Sequence, residues 1–316
     1  MSTPAPHDDG AVPAHPDPTG PAPTGGHFAA ATPEALARRR RKGSVLHATA
    51  IGATALGLVV LGLLLVQVAI EAAPWLRPHM LTEYTSRIPT RAGLLAALVG
   101  TFWLMVITAA FAVPVGVGAA VYLEEYAKPG PFVRFVTLNI ANLAGVPSVI
   151  YGVLGLALFV RAFGFGASFL SGGLTLGLLV LPVIVIATQE ALRAIPRGIR
   201  EASYALGATK WQTVRAHLLP QAAPGTLTGV ILALSRAIGD TAPLLVVGAA
   251  TFIAFLPASP LDAFSALPIQ IYNWTARPQA AFHGLAAAGI VLLLAVLLVM
   301  NGIAIWLRGR AESSQR

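Results

Sequence analysis

Six apolar runs separated by short polar or basic segments set the pattern of this chain. They fall at Val45–Ile70, Ala92–Tyr122, Val136–Val160, Gly172–Leu192, Gly225–Leu256 and Phe282–Leu307. Each meets or exceeds the roughly 20 residues that an α-helix needs to cross the hydrocarbon core of a bilayer. The pattern predicts an all-α polytopic membrane protein with six transmembrane helices. Lone prolines at Pro114, Pro147, Pro182 and Pro243 are expected to interrupt four of the spans. Such breaks survive in a membrane where neighbouring helices or a polar cavity satisfy the freed backbone groups.

Composition supports this picture: 56% of the residues are hydrophobic and only 11% are charged, against about 25% charged in an ordinary soluble domain. The first 33 residues hold eight of the 24 prolines and no apolar period, which predicts a disordered tail. His7, His15 and His27 are scattered through that tail and are read as inert. The basic run Arg38–Lys42 comes late and precedes a long apolar run, as expected of a retained span rather than a cleaved signal peptide. Cysteine is absent, which excludes a disulfide framework, a thiolate metal site and a cysteine nucleophile.

A net charge of +8 could indicate nucleic acid, but the distribution of basic residues gives the simpler account. With the N-terminus inside, cytoplasmic segments hold fifteen Lys and Arg, outer loops hold five, and Arg236 lies within a span. Positive residues accumulate on the cytoplasmic side, so both termini are expected in the cytoplasm and no nucleic-acid partner is implied.

The basic segment Pro196–Pro220 lies between the fourth and fifth spans. Pro196 suits a first helical turn. Ile199, Ala202 and Leu206 recur at helical spacing, Gly207 permits a tight turn, and Ala208–Leu218 can resume a helix before Pro220 stops it. Two short helices joined at a glycine form a knob that could dock on a separate motor subunit; an amphipathic linker would show the same periodicity. The chain has no G-x-x-x-x-G-K-[ST] phosphate loop, so ATP hydrolysis has to come from another subunit.

In the fifth span, Arg236 and Asp240 are four residues apart, a spacing that places both on one helical face. Each costs about 2.5–3.5 kcal/mol at a helix centre on insertion scales. Two readings fit. In one, Arg236 is a fixed cation for an anionic substrate, gripping oxygens with paired hydrogen bonds, with Asp240 neutralising it in the empty path and Ser235 and Thr241 beside them. Alternatively, the two are a structural ion pair. Glu190 and Arg193 read as interface anchors or as part of the loop region, and His283 as an interfacial histidine. Trp75, Trp274 and Trp306 near span ends read as interface anchors, and Trp103 as packing.

These motifs carry a family resemblance. Glu201-Ala202-Ser203, Gly207 and Leu219-Pro220 resemble the coupling loop of ABC importer permeases, with His217 where an aliphatic residue is usual. The run Ser235 to Leu244 is similar to the signature of phosphate ABC importer permeases, with Asp240 in place of the usual Glu. Leu143 to Gly152 and Val113 to Tyr126 match further motifs of that family, and Leu267 to Trp274 resembles the outer loop of its PstA type.

The resemblance implies a type I ABC importer transmembrane domain over residues 92–307, with a basic segment, first span and outer loop at 34–91 and a tail at 308–316. It implies inorganic phosphate as substrate, with Arg236, Asp240, Ser235 and Thr241 on the pathway. It also implies coupling through Glu201, Ala202, Gly207, Leu219 and Pro220. The implied partners are a homologous PstC-like permease subunit, two copies of an ATPase subunit that bind ATP and Mg, an external phosphate-binding protein and membrane lipid. No cofactor or metal is expected in this chain itself, which would lie in the bacterial cytoplasmic membrane.

A molybdate or sulfate importer would keep the loop but lack the Arg-x-x-x-acid-Thr-Ala-Pro run. A secondary carrier would be expected to show several intramembrane acids and an inverted repeat, and neither is evident. No H-E-x-x-H or G-x-S-x-G motif suggests an enzyme.

Overall fold

The computed structural model describes residues 33–250 and 252–313, which are almost wholly helical. Most of the predicted tail, including its three histidines, lies outside the described residues. The chain divides into two compact units, 1–62 and 63–316. Helix α1, Pro33–Ala72, supplies the described part of the first unit, and its last residues belong to the second.

The helices of the second unit follow in order. A short α2, His79–Thr82, precedes α3, Leu95–Val121, which ends in a π-helical turn at Tyr122–Tyr126. Next come α4, Pro131–Leu143, and α5, Ser148–Gly155, which widens into a π-helical stretch at Leu156–Ala162. The long α6, Phe169–Arg193, leads to α7, Arg197–Ala205, and α8, Lys210–Thr213. A π-helical turn at Val214–Leu218 joins α8 to α9, Leu219–Gly239. The chain closes with α10, Ala242–Val247, α11, Leu267–Thr275, and α12, Ala280–Ser313.

Among the described residues, five continuous helical stretches are long and apolar enough to cross a membrane: Leu46–Ala72, Leu95–Tyr126, Phe169–Arg193, Lys210–Gly239 and Ala280–Arg310. The third of the six expected spans is not a straight helix. It consists of α4 and α5, bent by 105° at their junction, and only the pair together makes a sixth span. The expected fifth span is also shortened, because helix stops at Gly239 and resumes as α10.

Both breaks have one cause. A proline ring clashes with the carbonyl four residues earlier and supplies no N–H. Pro147 stands four residues after Leu143, the last residue of α4, and Pro243 four residues after Gly239, the last of α9. The carbonyl freed at the first break is satisfied: the Tyr151 hydroxyl donates to the Leu143 carbonyl at 2.8 Å.

Pro114 and Pro182, also expected to interrupt their spans, lie inside unbroken α3 and α6. Pro220 does not stop a helix either. It sits in the first turn of α9, directly after the π-helical turn, a position where proline is tolerated.

The main core is built where α3, α6 and α9 pack on one another, around Leu104, Leu176, Val180, Ile184, Ala233 and Ala237. Small residues set the spacing. A methyl at Gly229 of α9 would collide with the Ala187 side chain of α6. A second cluster joins α11 and α12 to Leu94 and Ala97. Trp274, expected as an interface anchor, is instead 0% exposed in this cluster, packed beside Phe282 and Leu285. A smaller third cluster of Val121, Leu192, Val214 and Leu218 underlies the α7–α8 segment.

Candidate functional site: a knob on a clamp and an unpaired arginine

The sequence singles out two regions, and the structure keeps them apart along the chain. The first is the segment between α6 and α9. Pro196, with extended ψ, caps α7, and Gly207 takes φ +84° to turn the chain into α8, a conformation that costs glycine little. Thr209 caps α8 reciprocally with Gln212: the Gln212 N–H donates to the Thr209 hydroxyl at 3.3 Å, and the Thr209 N–H to Gln212 Oε1 at 2.8 Å. Inside the knob the Ser203 and Thr213 hydroxyls pair at 2.9 Å, tying the two short helices together.

The apolar face expected from Ile199, Ala202 and Leu206 does not stay together. Ile199 packs against the third cluster, whereas Ala202 is exposed and Leu206 is 90% exposed at the tip. The inward residue is Ser203, whose hydroxyl has a partner inside the knob and can therefore be buried. Leu206 thus stands out beside the exposed Tyr204 and Trp211. Glu201 is exposed as well and makes no ion pair among the described residues. Leu219 is half-buried at the start of α9, and Pro220 is exposed beside it.

Beneath the knob lies a set of ion pairs that joins Glu125 to Arg200 and both Glu124 and Glu190 to Arg193, with Glu190 and Arg193 read from the sequence as interface anchors or part of the loop region. Arg200 of α7 holds Glu125 of the π-helical turn with Nη2 to Oε1 at 2.7 Å and Nε to Oε1 at 3.0 Å. Its remaining donors reach the end of α6, with Nη1 to the Ile195 carbonyl at 3.0 Å and Nη2 to the Leu192 carbonyl at 2.9 Å. Those carbonyls lie where a helix runs out of its own donors. Lys210 of α8 donates to the Glu125 carbonyl at 3.3 Å and lies over the Tyr126 ring. Arg193 pairs with Glu124 and Glu190, each at 3.0 Å. Glu124, Glu125, Arg193 and Arg200 line a cleft of about 610 Å³ together with Arg197 and Glu201.

The second region is the break between α9 and α10. Arg236 lies in the last turn of α9, where a cation suits the helix dipole. Asp240 follows the end of that helix with extended ψ, so the expected single helical face is lost; the stop imposed by Pro243 is the reason. Arg236 and Asp240 form no ion pair with each other or with any described residue. Arg236 is exposed and Asp240 half-buried.

Thr241 caps α10 in position, although its side chain makes no capping bond. The Ser235 hydroxyl turns away toward α12, bonding Asn301 Oδ1 at 2.6 Å and the Ile231 carbonyl at 2.7 Å. The α4–α5 break adjoins this one. Gly152 of α5 lies directly against Pro243 of α10.

Comparison with known proteins places these features in a family. Residues 112–312 match the model of the binding-protein-dependent transport system inner membrane component. A probable ABC transporter permease protein of Bacillus subtilis, YqgI, is 32% identical over 77% of this chain and 87% of its own length. The phosphate transport system permease protein PstA of Mycobacterium leprae is 41% identical over 65% of this chain and 67% of its own. PstA of Haemophilus influenzae is 32% identical over 75% and 83%, respectively.

Among solved structures, an alginate ABC importer aligns with a TM-score of 0.63 over 87% of this chain and 98% of that one, at 15% identity. The methionine transporter MetNI aligns at 0.56 over 69% and 97%, at 21% identity. Both likenesses concern the fold, which is that of a type I ABC importer transmembrane domain. With two thirds of the chain inside the family model, and with relatives matched over most of their length, the protein belongs to the binding-protein-dependent transport system inner membrane components.

Proposed function

We propose that this chain is the permease subunit of an ATP-driven importer of inorganic phosphate. The relatives named as phosphate permeases support that substrate. The observation that carries it is Arg236: a guanidinium with no ion pair among the described residues, in the last turn of α9 beside the break before α10. A planar fork of donors suits phosphate oxygens. The nearby half-buried Asp240 carboxylate repels an anion that lingers, which favours release after binding. Thr241 borders the same break, and Ser235 fixes the end of α9 to α12.

The α7–α8 knob is the coupling element. Glu201 and Ala202 present an exposed face, Gly207 sets the turn, and Leu219-Pro220 hands the motion to α9. The partners are a homologous PstC-like permease, two copies of an ATPase subunit holding ATP and Mg, and an external phosphate-binding protein. The excess of basic residues in these segments supports a cytoplasmic knob and cytoplasmic termini. ATP-driven closure of the ATPase pair pushes the knob and opens the path outward, and hydrolysis returns it inward.

Radiolabelled phosphate uptake in phosphate-starved cells tests this, with this chain as their only copy and membrane abundance measured. Wild type should restore uptake, and Arg236→Gln should assemble yet lose at least ten-fold. Normal uptake by the variant would remove Arg236 from the path. Uptake of sulfate or molybdate in place of phosphate would overturn the substrate.

A further inference from the structure

Arg200 joins three elements at one guanidinium: the π-helical turn closing α3 through Glu125, the last carbonyls of α6, and its own helix α7. Lys210 attaches α8 to the same turn through the Glu125 carbonyl. Both helices of the knob are therefore fastened to the end of α3. We infer that the Arg200–Glu125 pair is the latch through which displacement of the knob drives α3 and α6. This rests on reading the knob as the coupling element.

The physical case begins with exposure. The Glu125 side chain is 6% exposed and that of Arg200 18%, so water and salt screen their attraction little. Charge-assisted contacts from two guanidinium nitrogens fix direction as well as distance. Arg193 and Glu124 are more open, at 46% and 21%; such pairs contribute little and yield readily.

Below the latch, Val121, Leu192, Val214 and Leu218 are packed with almost no exposure. A close-packed interior transmits displacement instead of absorbing it. α6 in turn packs along α9, whose last turn carries Arg236. Glu125 and Arg200 act as positioning residues, keeping the push on the knob from being spent in local slippage.

The test uses the whole complex, with both permeases, the ATPase subunit and the binding protein, in proteoliposomes. It measures phosphate moved per ATP hydrolysed and, separately, the ATPase subunit retained on purification. Glu125→Gln keeps shape and removes charge; Arg200→Lys keeps charge and removes the fork. Each should retain the ATPase subunit, hydrolyse ATP at no less than half the wild-type rate, and move at least five-fold less phosphate per ATP. An unchanged ratio in both overturns the latch. Loss of the ATPase subunit in both also overturns it, since the pair would then only shape the docking surface. If one variant fails to assemble, the other is read alone. Leu206→Asp at the knob tip isolates the underlying reading: full coupling and retention there would sink the knob as the coupling element, whatever the latch variants do.

Discussion

Gly152 and Pro243 meet where two interrupted helices cross, and the contact leaves no room for a methyl group. A Cβ at Gly152 would lie 2.8 Å from Pro243 Cα, a backbone atom that cannot rotate away. Overpacking of this kind costs about 1–3 kcal/mol. Gly152→Ala should therefore destabilise the purified complex by an amount in that range, seen as a lowered melting temperature followed by tryptophan fluorescence. Gly57→Ala, with nothing within 4 Å of the added atom, should leave it unchanged. Equal melting of the two would mean that α5 and α10 do not meet as described. Gly152 belongs to a readable motif and Gly57 does not, but the motif gives no hint of a clash, which comes from what the fold brings opposite each glycine. The same holds for Glu124 and Glu125. Their motif was readable, but their partners are 69 and 75 residues away, so no local spacing connects them.

Helices as a class were legible because apolar runs of spanning length leave few alternatives in a membrane. Where they break was not. Four prolines looked equivalent, yet Pro147 and Pro243 end helices while Pro114 and Pro182 do not. Gly145 precedes one break, and Gly239 ends the helix at the other, both residues that weaken a helix. Pro114 and Pro182 instead lie in α3 and α6, which form the most extensive helix pair of the fold, and packing there outweighs one lost hydrogen bond.

The bend between α4 and α5 can be measured with spin labels at Phe135→Cys and Phe163→Cys, both exposed sites in a chain without native cysteine. A straight helix would separate them by about 42 Å at 1.5 Å per residue, whereas the 105° bend brings them to roughly 25 Å. A distance near the longer value would contradict the break.

At the scale of the molecule, the proposed orientation yields an all-or-none prediction. A single cysteine at Leu206, on the knob tip, should react with a membrane-impermeant maleimide only in inverted vesicles. One at Leu261, an exposed loop position beyond α10, should react only in intact cells. The reverse pattern would overturn the placement of both termini.

The latch also bears on the order of biosynthesis. Glu125 is made 75 residues ahead of Arg200, so at typical elongation rates it waits roughly 4–15 s for its partner. During that time α6 is being synthesised and inserted. The knob can be fastened to α3 only once α4, α5 and α6 have been made, so under the proposed coupling the surface offered to an ATPase subunit doubles as a sign that this much of the permease has been threaded correctly.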